Sequence, residues 1–304
     1  VLPGKKISKR GKIGEIAYNT PDRAFEHGHE RLFTTVGSIQ GPKQPSKIIM
    51  KHNSRQLTGN NEIIGPGAPI NGSKVMKDII LDFKKIEKKY GNLIALDNIS
   101  FEVDKNSIHG ILGPNGSGKS TLMRILSGLI KSWKGEIYLK GNKVSKSSNE
   151  YLKLFGFMIE DPSFYEYLSA EENLKIFCRL LDYDLKAIYQ SLERVELHDW
   201  AQTKVRDFSY GMKQRLGIAQ AILHDPQILI LDEPNNGLDP SGIMDMNNLI
   251  NSLQKEGKTI CISTHILKDV ELLCTDVTVL KKGKLVLTSS LKDLMKKSKL
   301  INIS

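Results

Sequence analysis

Apolar and polar positions alternate along Ile79-Ile80-Leu81-Asp82-Phe83, which predicts a strand. Residues 107–111 (Ser-Ile-His-Gly-Ile) with Leu112 predict a second, short and buried one. The period then changes. Leu122, Ile125, Leu126, Leu129 and Ile130 fall at i, i+3, i+4, i+7 and i+8, one face of a helix. Helical periodicity dominates residues 163–223. There Ser169-Ala170-Glu171-Glu172 is a capping box that opens a helix with Leu174, Phe177 and Cys178 on one face, and residues 185–197 form another amphipathic stretch. Two more strand-sized apolar runs follow, Ile228–Leu231 and Thr259–Ile262. No run approaches the roughly 18 apolar residues that a membrane helix needs.

Composition adds a boundary. The 304 residues hold 44 Lys+Arg and 34 Asp+Glu, a net charge of +10. Residues 1–77 carry 13 basic and 5 acidic side chains and 16 of the 36 Gly+Pro, with little sustained period. Residues 1–76 therefore read as a basic Gly/Pro-rich extension, disordered or a misassigned start, since the chain opens on Val1 and a Met stands at position 76. A passive tail and an anion-binding arm are the other readings. His27, His29 and His52 lie there without partner cysteines, so no metal site is expected. Three cysteines, Cys178, Cys261 and Cys274, are too few for a disulfide framework and point to a reducing cytosol. Each reads as a core residue of its strand or helix, and His109, His198 and His224 read as structural.

The chemistry begins after the strand at 107–112. Gly113-Pro114-Asn115-Gly116-Ser117-Gly118-Lys119-Ser120-Thr121 matches the G-x-x-x-x-G-K-[ST] phosphate loop, set between a strand and a helix. Glycines let the backbone close round phosphate oxygens, and the helix N-terminus aims N–H groups at negative charge. Lys119 is placed to reach the β- and γ-phosphates and the Ser120 hydroxyl to ligate Mg²⁺. The run Ile228–Leu231 ends in Asp232-Glu233-Pro234, two carboxylates at the end of a buried strand. Asp232 is placed to hold Mg²⁺, directly or through water, and Glu233 to polarise an attacking water as general base. His265, 33 residues past Asp232, leaves the next strand through Ser263-Thr264 and is placed to contact the γ-phosphate.

Between these motifs lies Phe208-Ser209-Tyr210-Gly211-Met212-Lys213-Gln214-Arg215. It resembles the signature motif of ATP-binding cassette (ABC) ATPases, and the resemblance covers residues 77–290 through at least six motifs in the family's order. It implies an α/β fold, a P-loop NTPase of ABC type, with a mostly parallel core sheet, an antiparallel β subdomain and an α-helical subdomain at about 163–223. Residues 285–304 are Lys-rich and helix-like, and 291–304 are then a short C-terminal tail. The resemblance also implies roles. Tyr90 is similar to the aromatic that stacks on adenine. Asn236-Gly237-Leu238-Asp239 resembles the loop that crosses the dimer interface, and His265 matches the switch histidine. Ser209 and Gly211 resemble the residues that contact the γ-phosphate bound by the opposite subunit, so a homodimer or heterodimer of ATPase domains is implied, with ATP and Mg²⁺ as cofactors. Two positions depart from the pattern. The family's usual Leu-Ser-Gly-Gly-Gln is here Phe-Ser-Tyr-Gly-Met, and Glu160 stands where a Gln usually meets Mg²⁺ or water. A carboxylate accepts as an amide oxygen does but cannot donate.

Phe164-Tyr165-Glu166-Tyr167 is a dense aromatic patch, and in this family that region docks coupling helices of membrane subunits. No such subunit lies in the chain. The expectation is therefore the ATP-hydrolysing subunit of a transporter, peripheral on the cytoplasmic face of the cell membrane, working with a separate integral membrane permease. Ile-Glu-Asp-Pro with Ser-Tyr-Gly-Met-Lys-Gln-Arg-Leu is similar to exporter ATPases for antibiotics and antimicrobial peptides, of bacitracin and lantibiotic-immunity type. Two alternatives stand beside it. A soluble ABC ATPase acting on ribosomes or nucleic acid has only the basic arm in its favour, so no specific nucleic acid is expected. A non-catalytic regulator has Glu233 and His265 against it.

Overall fold

The strand expected at residues 79–83 is the start of a longer one, β1 (Ile79–Tyr90), which pairs antiparallel with β2 (Leu93–Asp104) so that Phe83 lies opposite Phe101. The structure is a computed structural model and describes residues 78–301. The expectations for residues 1–76 lie outside the described residues. Along the chain follow β3 (Ile108–Leu112), α1 (Lys119–Leu126), β4 (Lys134–Leu139), the two-residue β5 (Asn142–Lys143) and β6 (Phe155–Met158). The helical stretch gives α2 (Ala170–Leu181), α3 (Lys186–Arg194) and α4 (Tyr210–Ile222). The remainder is β7 (Ile228–Asp232), α5 (Pro240–Lys255), β8 (Thr259–Thr264), α6 (Leu267–Leu273), β9 (Asp276–Lys281), β10 (Lys284–Ser290) and α7 (Leu291–Ile301).

Two sheets result. One is antiparallel and four-stranded, in the order β2-β1-β4-β5; the other is six-stranded, in the order β10-β9-β3-β8-β7-β6. In the second, β3 pairs parallel with β8 and β9, and β7 pairs parallel with β6 and β8, while β10 runs antiparallel to β9. β7 and β8 are buried along their whole length, with apolar centres at Ile228–Leu231 and Ile260–Ile262, because helices or the other sheet cover both faces. A mostly parallel sheet puts its strand carboxyl ends on one edge, where ligands bind in such folds. The neighbours β3, β8 and β7 deliver the phosphate loop, His265 and the Asp232-Glu233 pair to that edge.

The core has two main bodies. Phe83, Ile99, Leu122, Ile125, Phe155 and Ile230 fill the space between the sheets and around α1. Leu174, Ile188, Leu192, Leu216, Leu229 and Leu249 join the helical region to the core sheet's other face. Burying each such side chain contributes about 1.5–3 kcal/mol. α4 lies directly on β6: a Cβ on Gly156 would fall 2.1 Å from the Ala221 carbonyl oxygen.

The Ser169 capping box is present, with the Ser169 Oγ accepting from Glu172 N at 3.1 Å and Glu172 Oε2 accepting from Ser169 N at 2.8 Å. Such a cap contributes about 1 kcal/mol. The stripe that predicts a helix as far as Ile130 overshoots: α1 stops at Leu126, Gly128 turns left-handed at φ +75°, and Leu129 is half exposed. A left-handed glycine just past the last turn ends a helix whatever the apolar spacing beyond it. The Lys-rich, helix-like end of the chain forms the helix α7 over residues 291–301. Among the histidines, His109 is buried against Thr278 (2.8 Å), and His224 donates from Nε2 to the Phe155 carbonyl (2.9 Å). Cys178 and Cys261 are buried, whereas Cys274 is half-buried just beyond α6.

Candidate ATP site

The phosphate loop closes tightly after β3. Gly113 N donates to the Thr264 carbonyl at 3.2 Å, and Ser117 N to Pro114 O at 3.0 Å. Gly116 and Gly118 stand at φ +76° and +109°, where a side chain costs about 1–2 kcal/mol. Pro114, Asn115 and Gly116 are exposed, while Ser117 is buried. Gly118 is the N-cap of α1, no side chain caps it, and no acidic residue lies in the first turn. The first-turn N–H groups, those of Lys119, Ser120 and Thr121 among them, lack intrahelical partners and favour an anion.

Lys119 is 5% exposed, which for a cation demands partners. Its Nζ donates to the Gly113 carbonyl at 2.8 Å and pairs with Glu233 Oε1 at 3.3 Å. The other Glu233 oxygen meets His265 Nδ1 at 2.6 Å. Lys119, Glu233 and His265 thus form one bonded cluster, drawn from the start of α1 and the ends of β7 and β8. Glu233 has left-handed backbone, φ +52°, and its N–H donates to Ser263 O (3.2 Å) and Ser263 Oγ (3.0 Å). Non-glycine residues held in that region concentrate at functional sites. Chemically, the cluster places a carboxylate that can accept a proton beside a cation that can neutralise phosphate charge.

Ser263 is a site residue that the sequence reading passed over. It is fully buried in β8, directly opposite Asp232 in the parallel register. Its hydroxyl donates to Asp232 Oδ1 and accepts from Glu233 N, so one side chain orients both carboxylates. A hydroxyl directly after the apolar run Ile260-Cys261-Ile262, two residues before His265, was the available signal. Ser263→Ala removes both bonds without adding bulk. Turnover is expected to fall about tenfold, and half-maximal Mg²⁺ to rise, measured as ATPase activity across a Mg²⁺ titration. An unchanged Mg²⁺ profile would refute the orienting role.

Asp232 is 8% exposed, and Ser263 occupies Oδ1, which leaves Oδ2 to face a cation. With the half-buried Ser120 hydroxyl it offers the hard oxygen donors that suit Mg²⁺, an ion that keeps waters and phosphate oxygens as its other ligands. Glu160, the third residue expected near the metal, is exposed at φ +67° and its carboxylate is ion-paired with Arg124 of α1. Tyr90 ends β1 half exposed, with Lys88 Nζ 4.7 Å from its ring centre. Asp239 caps α5, accepting from Gly242 N (2.9 Å) and the Ser241 hydroxyl (2.8 Å). Those bonds, the hydroxyl's first, hold its carboxyl below the usual range.

Ser209 caps α4, and its Oγ accepts from Met212 N at 3.2 Å. Its O–H proton stays available to donate, and the residue is exposed. Gly211 lies beside Leu238, 3.5 Å from where a Cβ would sit. Ser209 and Gly211 therefore join no contact with the Lys119 cluster, unlike Glu233 and His265.

A family model described as ABC transporter matches residues 96–236. The bacitracin transport ATP-binding protein BcrA of Bacillus licheniformis is 45% identical over 209 residues, 68% of each chain. The lantibiotic transport ATP-binding protein SrtF of Streptococcus pyogenes is 40% identical over 208 residues, 68% of this chain and 90% of its own. This chain belongs to the ABC transporter ATP-binding proteins. Among solved structures, the dimeric ATP-binding cassette MJ0796, bound to ADP and Pi, superposes with a TM-score of 0.62 at 27% identity, covering 70% of this chain and 99% of that one. The expected α/β architecture of an ABC ATPase is the one observed, and the activity of the family is ATP hydrolysis. Among the described residues, no helix is long and apolar enough to cross a membrane.

Proposed function

We propose that this ABC protein is the motor subunit of an exporter for antibiotics or antimicrobial peptides. It sits peripherally on the cytoplasmic face of the membrane, beside a separate membrane-spanning permease, and works as a homodimer or heterodimer of ATPase domains. The observation that carries the motor reading is the division of the site. Lys119, Glu233 and His265 are bonded together, while Ser209 stands exposed on α4 with a hydroxyl proton to give. A second subunit is what would bring Ser209 and Gly211 onto this subunit's nucleotide.

In this reading Tyr90 stacks on adenine and the loop Gly113–Thr121 holds the phosphates. Lys119 neutralises charge on the transferred phosphoryl group. Glu233 accepts the proton of the attacking water, and His265 holds both the carboxylate and the γ-phosphate. Ser120 and Asp232 would hold Mg²⁺, which would neutralise phosphate charge. Asp239 belongs to the loop facing the partner subunit. ATP bound between two subunits favours the closed dimer, and hydrolysis removes that bias.

The cargo class rests on the bacitracin and lantibiotic transport relatives. The docking surface rests on Tyr165 and Tyr167, 44% and 66% exposed. Their loop is held firmly: Tyr165 N donates to Asn173 Oδ1 at 2.9 Å, and Asn173 Nδ2 donates to Tyr165 O at 3.1 Å. Phe164, expected in the same exposed patch, packs against the core instead. Solubilising tagged full-length protein from membranes in mild detergent is expected to recover an integral membrane protein. Tyr167→Glu should cut that recovery about tenfold with ATP affinity of the subunit unchanged, the size of effect expected for an interface aromatic. Ribosomal proteins in place of the membrane partner would sink the transporter assignment. Unaltered sensitivity of a deletion strain to bacitracin and lantibiotics would sink the cargo class.

A further inference from the structure

Tyr210 stands where the family's signature usually has glycine, and it is not a loose surface side chain. It is the first residue of α4, next to Ser209. Its hydroxyl donates to Asp161 Oδ1 at 2.8 Å and accepts from Gln214 Nε2 at 2.9 Å. Its ring lies against the loop that follows β7: a Cβ on Gly237 would fall 3.0 Å from Tyr210 Cε1. Gly237 is left-handed at φ +75°, so the absence of a side chain serves both the turn and the ring's approach. Two hydrogen bonds and the contact with Gly237 hold the Tyr210 side chain in place.

The contacts extend in both directions. Asp161 follows Glu160, which is ion-paired with Arg124 on α1. α1 is the helix that Lys119 opens at the phosphate loop. Gly237 lies four residues beyond Glu233 and two before Asp239, in the stretch that carries both carboxylates. A continuous set of contacts therefore runs from α1 through Arg124, Glu160, Asp161 and Tyr210 to the start of α4, with a branch to Gly237. Burial, and then the Asp161 carboxylate, push the Tyr210 phenol up from its ordinary 10.0, so it remains a donor at neutral pH.

We propose that Tyr210 is a positioning residue: it fastens the Ser209–Gly211 segment to the two loops that border its own subunit's ATP site, and so aims that segment at the nucleotide of a second subunit. The inference rests on the reading of Ser209 and Gly211 given above. A sequence departure at the signature becomes, in this role, a link between the half-sites that one subunit contributes to two composite sites. Coupling between the half-sites is an energy, and it is read by mutation.

Tyr210→Phe keeps the ring on Gly237 and removes both hydroxyl bonds. Asp161→Ala removes the acceptor from the other side. With purified full-length protein, each is expected to lower kcat for ATP about tenfold, the worth of one charge-assisted hydrogen bond, with KM within about twofold. In a Glu233→Gln background each is expected to weaken ATP-induced dimerisation by a similar factor, read by light scattering. Affinity of the single subunit for a fluorescent ATP analogue should not change. The double variant should be no worse than the poorer single one, because both cut the same link. Wild-type kcat and dimerisation in Tyr210→Phe would overturn the proposal, as would losses that multiply in the double variant. Reduced affinity in the single subunit would overturn it too, since the effect would then lie on the subunit's own phosphate loop. Ser209→Ala separates this inference from its premise. If Ser209→Ala disables dimerisation while Tyr210→Phe is silent, only the positioning role falls. If both are silent, the two-subunit reading of the signature falls with it.

Discussion

Glu233→Gln is expected to bind ATP and to hydrolyse it at least about 100-fold more slowly, the low end of what a positioned general base contributes. The amide keeps the size of the carboxylate and can still bond to His265, so the geometry at 2.6 Å has a neutral replacement. It cannot take a proton from water. The backbone at φ +52° is no harder for Gln than for Glu, so the loop keeps its shape. Losing the charge also releases Lys119 from its 3.3 Å ion pair, which leaves the ammonium to the nucleotide phosphates. ATP affinity should therefore hold or rise, and ATP should trap a dimer that elutes at twice the subunit mass. Turnover by this variant at the wild-type rate would remove Glu233 from the role of base.

Gly113→Ala tests the other half of the site, and its effect comes from space rather than charge. The added methyl would lie 2.4 Å from the Leu280 carbonyl oxygen and 2.5 Å from Ser117 Oγ. The first of these is strand backbone in β9 and cannot swing aside, so the loop must shift instead. The bond from Gly113 N to Thr264 O then weakens, and the Gly113 carbonyl loses its hold on Lys119. A displacement of about 1 Å at a reacting centre costs about 100-fold, and a loss of at least that size is expected in ATP affinity and turnover. Gly116→Ala is the control within the same loop. Nothing lies within 4 Å of its Cβ, so only the left-handed strain of about 1–2 kcal/mol applies. If Gly113→Ala binds a fluorescent ATP analogue as tightly as Gly116→Ala does, tight packing at the loop's entrance is not what shapes the site.

Much of the molecule was legible along the chain because its signals are local. The strand, glycine loop and helix around Lys119 are contiguous, so spacing alone describes them. The same holds for the Ser169 capping box, whose two reciprocal bonds span three residues. Where a local signal failed, another local one had outweighed it. Gly128 ended α1 inside an apolar stripe that read as helix. Phe164 went to the core although its neighbours Tyr165 and Tyr167 did not, since a run of aromatics has no single face outside regular structure.

What the chain could not show is which distant polar groups would meet. Ser263 and Asp232 are 31 residues apart and become partners only because β7 and β8 pair in parallel register. Arg124 and Glu160, or Tyr210 and Asp161, lie 36 and 49 residues apart and meet where loops from different layers converge. The sequence by itself determined the family, the order of its motifs and the residue types at the ATP site, because phosphate chemistry needs those types at short, fixed spacings. Tertiary structure alone decided the bonded cluster of Lys119, Glu233 and His265, the double use of Ser263 and the three-way contact of Tyr210. Hydrogen bonds act over about 3 Å, and only packing brings groups from separate strands within that reach.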